Sequence, residues 1–162
     1  MTAPNLFLDC DGVLADFDAG ARALLGTDVA SFEASHGKGE FWRRLARAPD
    51  FYATLPKMAD ADALVEGVRH LKPTILTGLP MGKWAAPQKV RWAAEHFPGV
   101  PIITCMARDK HRHMTGADVL IDDRLSHKAA WEEAGGIYIV YRSAAQSLAA
   151  LAEIFPGVRV PV

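Results

Sequence analysis

Residues 5–17 read NLFLDCDGVLADF: a short apolar run, Leu6-Phe7-Leu8, that stops at Asp9-Cys10-Asp11-Gly12. A run this short, without polar alternation, has the pattern of a strand buried on both faces. Gly12 permits a tight departure from it. Four more such runs follow, at residues 74–77 (TILT), 100–104 (VPIIT), 119–121 (VLI) and 137–141 (IYIVY). Between them lie amphipathic stretches. Residues 60–71 set Ala63, Leu64, Val68 and Leu71 on one face. Residues 87–97 open on Pro87 at a first helical position and close before Pro98-Gly99. Residues 126–134 have Ser126 as a cap and stop at Gly135-Gly136, and residues 143–155 have Ser143 as a cap and stop at Pro156-Gly157. Strands that alternate with helices predict a parallel sheet covered on both faces, a three-layer α/β domain with strands in spatial order 3-2-1-4-5.

Residues 18–56 break the alternation. They carry no strand pattern, are dense in aromatics (Phe32, Phe41, Trp42, Phe51, Tyr52) and are interrupted by Gly37-Lys38-Gly39. This predicts a core made of residues 1–17 and 57–162, with residues 18–56 as a small helical cap inserted after the first strand. Ligands of open α/β sheets bind beyond the carboxyl ends of the strands, so such a cap would sit over the site.

Chain length and composition narrow the field further. At 162 residues the chain makes one domain able to bury its apolar surface without disulfides. A formal net charge of −1 argues against a nucleic-acid duplex as partner, since duplex binders carry a basic stripe. Cys10 and Cys105 match neither a zinc site nor a redox pair. No stretch approaches the ~20 apolar residues of a membrane span, and Asp9 and Asp11 interrupt any leader-like run. A cytoplasmic location is the expectation, with no membrane partner.

The chemistry sits just after the strands. The first ends in Asp9-Cys10-Asp11, the second in Thr77-Gly78, the third leads through Arg108-Asp109 to Lys110, and the fourth ends in Asp122-Asp123. Carboxylates converging on one edge repel one another, and a hard divalent cation, Mg²⁺, resolves that conflict through oxygen ligands. Asp9, Asp11, Asp122 and Asp123 are the candidate ligands. Asp9 can attack phosphorus and carry an aspartyl-phosphate, while Asp11 protonates the leaving oxygen and then activates water. Thr77 and Gly78 can hold phosphate oxygens. Lys110 and Lys89 compete to offset charge, Lys110 first by motif position and Lys89 as a phosphate ligand. Each signal has a bland reading beside it. Asp9-Cys10-Asp11 alone could be a turn, Asp16 a helix cap and Lys89 a solvated helix face; Phe41, Trp42, Phe51 and Tyr52 could form the cap's own small core as readily as stack on a base, and Phe17 could be a buried hinge residue. Cys10 reads as a small core hydrophobe, and His111 and His113 as a polar loop.

In order, D-x-D-G-V-L-A-D, L-T-G, a lysine and L-I-D-D-R resemble the haloacid-dehalogenase-like superfamily of aspartate-nucleophile phosphatases. The resemblance spans Asp9 to Asp123 and implies a Rossmann-like sheet with Asp9, Asp11 and one or both of Asp122 and Asp123 around Mg²⁺. Asp11 points to phosphoester chemistry, because the dehalogenases of that superfamily lack the second aspartate. The sequence is similar, more closely, to the 5'(3')-deoxyribonucleotidases in residues 9–17, in Lys89-Val90-Arg91-Trp92, in Arg108-Asp109-Lys110 and in residues 120–124. That likeness implies a phosphatase of nucleoside monophosphates, with Phe17, Phe41 and Trp42 lining a nucleobase pocket. The chain departs from the pattern in a shorter cap, in Gly78 where those enzymes carry serine, and in Ala107 where they carry threonine. Alternatives are another small phosphometabolite, a nucleic-acid end, or a non-catalytic phosphate-sensing module. A homodimer through an exposed aromatic cap is a further expectation.

Overall fold

The computed structural model describes residues 3–161. Five strands form one parallel sheet: β1 (Leu6–Leu8), β2 (Thr74–Gly78), β3 (Ile102–Cys105), β4 (Val119–Asp122) and β5 (Ile137–Val140), in the order β3-β2-β1-β4-β5. This is the α/β Rossmann-like arrangement with the spatial order predicted. Successive strand residues alternate between two cores, as the pleat requires. Leu6, Leu8, Ile75, Val119 and Ile121 enter the larger one, beneath α4 (Ala61–Val68), α5 (Ala85–His96) and α7 (Ala144–Ala152). Phe7, Leu76, Leu120 and Tyr138 enter a thinner one covered by Trp131 of α6 (Lys128–Glu133). Trp131 fills it because its ring meets Phe7 edge-on and its indole N–H donates to Asp118 O at 3.0 Å.

Helix boundaries show where local signals were outweighed. Ser143 caps α7, accepting from Gln146 N at 3.1 Å. Ser126 caps nothing: α6 starts at Lys128 behind His127, because Lys128 N already bonds Leu125 O across a turn. Pro87 is the third residue of α5, not the first; the first four N–H groups of a helix need no internal acceptor, so proline is tolerated there.

Between β1 and β2 lie α1 (Phe17–Leu25), α2 (Val29–His36) and α3 (Lys38–Arg47). Asp16 caps α1, accepting from Ala19 N at 3.0 Å. Gly37, at φ +86°, ends α2 and opens α3, so the break falls on one glycine and Gly39 lies inside the helix. The ingoing and outgoing chains pair in a narrow neck: Asp16 N donates to Pro56 O and Met58 N to Leu14 O, both at 2.8 Å. The return segment is pinned to α5, where Gln88 Oε1 accepts from Tyr52 N at 2.7 Å and Trp92 Nε1 donates to Leu55 O at 2.8 Å. Phe32, Phe41, Phe51 and Tyr52 are buried, and Trp42 is 38% exposed. No helix among the described residues is long and apolar enough to cross a membrane.

Buried Asp118 ties the start of the sheet together, its carboxylate accepting from Asn5 N at 2.8 Å and Thr115 N at 2.9 Å. Asp118→Ala removes the acceptor of both bonds and is expected to cost roughly 1–3 kcal/mol in urea unfolding, each hydrogen bond to a charged group contributing about 0.5–1.5 where the donor is partly solvated. A loss below about 0.5 kcal/mol would show that water replaces the carboxylate.

Candidate active site

All the polar motifs arrive at the carboxyl edge of the sheet. Asp9 follows β1 directly, held by its N–H to Ile121 O at 2.9 Å. The chain then winds around one carbonyl: Cys10 O accepts from the N–H groups of Val13, Leu14 and Ala15. Cys10 itself is buried in the larger core. Gly12 has φ +82°, and a Cβ there would stand 2.1 Å from Asp123 Oδ2. Glycine is therefore required twice, by the left-handed backbone and by the approach of a carboxylate.

Lys110, buried on the 3₁₀ segment Ala107–His113, donates to Asp9 Oδ1 at 2.8 Å and to Asp122 Oδ2 at 2.9 Å. It joins the end of β1 to the end of β4. Lys89, buried on α5, donates to Asp11 Oδ2 at 2.8 Å, to Thr77 Oγ1 at 2.9 Å and to Gly78 O at 2.8 Å. The solvated-face reading of Lys89 thus fails: it is 1% exposed, and ion pairing offsets its burial. Gly78 closes the wall. A Cβ at 78 would come within 2.8 Å of Ala107 Cβ, so the two departures from the nucleotidase pattern, at 78 and 107, are neighbours whose small size lets β2 meet the 3₁₀ segment.

Asp9, Asp122 and Asp123 each offer a carboxylate oxygen, all within 4.8 Å of one another. Asp11, also a candidate ligand, is not in this group: Lys89 draws its carboxylate to the other side. The electrostatics suit a hard cation. Burial lifts the Asp9 carboxyl well above the usual range, with Asp122 and Asp11 adding to it and Lys110 opposing. Desolvation and then Asp122 push Asp123 up to about 6. Burial also works to raise Asp122, but Lys110 and the N–H of Arg124 carry it below the ordinary range. Lys110, despite burial, is held above the normal lysine range by Asp9 and Asp122. The edge therefore has more negative charge than its two lysines neutralise. Oxygen donors with excess negative charge fit Mg²⁺, which takes one or two carboxylates and leaves positions for water and phosphate.

Above the carboxylates is a cleft of about 140 Å³ with two unlike walls. One is aromatic, from Phe17, Trp42 and Tyr52; the other carries Arg124 and His127. Phe41 does not reach it. It is 2% exposed and packs behind Phe17 at 6.3 Å between ring centroids, so it supports the wall without lining it. Tyr52, one of the aromatics for which cap core and base stacking stood open, lines the cleft, while Arg124 and His127 carry no role in the sequence reading. Arg124 lies inside the L-I-D-D-R string, and Tyr52 is held by the bond of its N–H to Gln88 and by packing on Phe17 and Phe51. His127 is half-buried, and burial holds its imidazole below the usual value. His111 and His113 lie on the 3₁₀ segment, outside the three-carboxylate group.

Comparison with known proteins agrees with the fold. Residues 3–147 match the family model described as 5' nucleotidase, deoxy (pyrimidine), cytosolic type C protein (NT5C). Among solved structures, a HAD family hydrolase from Deinococcus radiodurans with bound phosphate and sodium superposes with a TM-score of 0.63 at 16% identity, covering 99% of each chain. A hydrolase from Streptococcus pneumoniae gives 0.55 at 14% identity over 94% of this chain and 100% of that one. L-2-haloacid dehalogenase from Xanthobacter autotrophicus gives 0.55 at 15% identity over 96% and 85%. At these identities the structures speak for the fold. No curated protein matches the sequence.

Two substitutions test the edge. Gly12→Ala should displace Asp123 as well as strain the turn, costing about 1–3 kcal/mol and weakening Mg²⁺ binding at least tenfold by calorimetry. Asp123→Asn should raise the melting temperature of the metal-free protein, because it removes a repelling charge, and should also weaken Mg²⁺ binding. A melting temperature that falls would show that Asp123 is not in electrostatic excess.

Proposed function

The chain belongs to the 5' nucleotidase, deoxy (pyrimidine), cytosolic type C family of HAD-like phosphatases, and we propose that it hydrolyses nucleoside monophosphates through an aspartyl-phosphate on Asp9. The observation that carries this reading is Asp9 itself: a buried carboxylate at the foot of the cleft, 2.8 Å from Lys110, grouped with Asp122 and Asp123 and roofed by aromatic rings.

Asp9 attacks phosphorus, forming an O–P bond to its carboxylate as the bond to the ester oxygen breaks. Asp11 gives its proton to that oxygen, so the alcohol leaves neutral. Asp11, now a carboxylate, takes a proton from a water whose oxygen attacks the same phosphorus. Inorganic phosphate departs and Asp9 is regenerated. Lys110 keeps its charge beside Asp9 throughout, and the Thr77 hydroxyl, buried at the end of β2 where it accepts from Lys89, is the group we assign to a phosphate oxygen. Asp9, Asp122 and Asp123 would hold Mg²⁺, which when bound screens the phosphate and polarises its oxygens. Residues 18–56 act as a cap, with Phe17, Trp42 and Tyr52 stacking on the base. The family's cytosolic description favours a cytoplasmic enzyme.

Phosphate release from a panel of 5'- and 3'-nucleotides with Mg²⁺ tests the reaction. Turnover is expected to stop with EDTA and to fall at least about 10³-fold in Asp9→Asn. No release from any phosphomonoester, or an active Asp9→Asn, would overturn it. Trp42→Ala tests the base: the KM for a nucleotide should rise roughly tenfold, about 1–3 kcal/mol of stacking, with little change for p-nitrophenyl phosphate. Equal effects on both would remove the base from the aromatic wall.

A further inference from the structure

Lys89 has a shape of environment that a phosphate ligand does not need. An ammonium has three N–H bonds, and all three are used, by Asp11 Oδ2 at 2.8 Å, Thr77 Oγ1 at 2.9 Å and Gly78 O at 2.8 Å. The Tyr52 ring also packs on the ammonium, its centroid 4.5 Å from Nζ. Tyr52 is fixed there by α5 itself: Gln88 holds its backbone N–H, and Trp84 packs on its ring at 5.3 Å between centroids. To bind phosphate, Lys89 would have to break one of these bonds inside a closed, apolar-capped pocket.

Asp11 shows the complementary asymmetry. Its Oδ2 is held by Lys89, while its Oδ1 is buried with no hydrogen-bond partner. Leaving a carboxylate oxygen buried and unpaired costs about 1–3 kcal/mol or more, and such groups are explained where a ligand or a reacting atom completes them. The orphaned oxygen belongs to a side chain that lines the cleft. Free of Lys89, the Asp11 carboxylate could swing toward the Asp9, Asp122 and Asp123 group; tied to the end of β2, it stays out of the cation's set.

We infer that Lys89 is a positioning residue that anchors the Asp11 carboxylate to the end of β2, leaving Oδ1 as the oxygen that exchanges a proton with the substrate, and that Lys89 is not a phosphate ligand. This rests on the phosphohydrolase reading above and adds to it which lysine acts on the phosphate side, Lys110, and which acts through Asp11.

The test uses two leaving groups. A nucleoside monophosphate expels an alkoxide and needs a proton from Asp11, whereas 2,4-dinitrophenyl phosphate expels a stable phenolate and does not. In Lys89→Met the kcat on the nucleotide should fall by about 10²–10³, the scale of a lost general acid. The pre-steady-state burst of dinitrophenolate should slow by less than about tenfold, with KM for both esters within about threefold. Asp11→Asn should show the same split, and adding Lys89→Met to Asp11→Asn should cost less than about threefold more on the nucleotide, because the two act as one unit. Lys89→Gln, which keeps a polar head in the pocket, should give the same pattern, and melting curves monitor the fold of every variant. A KM that rises at least tenfold for both esters with kcat and burst unchanged would make Lys89 a phosphate ligand. Equal losses on both leaving groups, or full additivity with Asp11→Asn, would also overturn the assignment. Those results require an active wild type; a wild type silent toward both esters removes the phosphohydrolase reading, and the Lys89 role with it.

Discussion

Four carboxylates at one edge of a parallel sheet repel one another, and the rest of this structure is arranged around holding them there. Two buried lysines do it, each from a different element. Lys110 spans the ends of β1 and β4, and Lys89 spans the loop after β1 and the end of β2. Between them they stitch together the three central strands of the sheet. Such pairs are not a source of large net stability, because desolvating both partners offsets most of their attraction, but losing one partner leaves a buried charge uncompensated. The network therefore fixes geometry more than it adds to folding free energy. The lysines still leave the edge acidic, which favours a divalent cation on the side of Asp122 and Asp123.

The two lysines also divide the site. On one side Lys110 sits among the carboxylates suited to metal and to attack on phosphorus. On the other, Lys89 holds a single carboxylate beneath the Tyr52 ring. Small residues make this division possible: Gly12 admits Asp123, and Gly78 admits Ala107. The helical segment above contributes differently. Its narrow neck and its bonds to α5 hold the aromatic wall in register with the carboxylates, so the groups that would select a substrate are separate from those that would transform it. Phe41 stiffens that wall from behind, and Trp42 remains at its rim.

The sequence by itself determined the sheet and the identity of the chemical groups. Short apolar runs ending in Asp9, Thr77 and Asp122 specify buried parallel strands, and their order in the chain brings those ends to one edge whatever the loops do. The caps at Asp16 and Ser143 were legible because each depends on residues within a few positions of one another. Tertiary structure decided the rest. Whether Lys89 faces water or Asp11 depends on how α5 packs, over a separation of 78 residues. The carboxylate of Asp11 stands apart from the group of Asp9, Asp122 and Asp123, held by a lysine distant in sequence. Among the cap aromatics, packing rather than aromatic character decides which ring reaches the cleft: Tyr52 lines it and Phe41 is buried behind Phe17. Local sequence sets backbone pattern and available chemistry, while charge pairing and side-chain burial are settled only when distant segments meet.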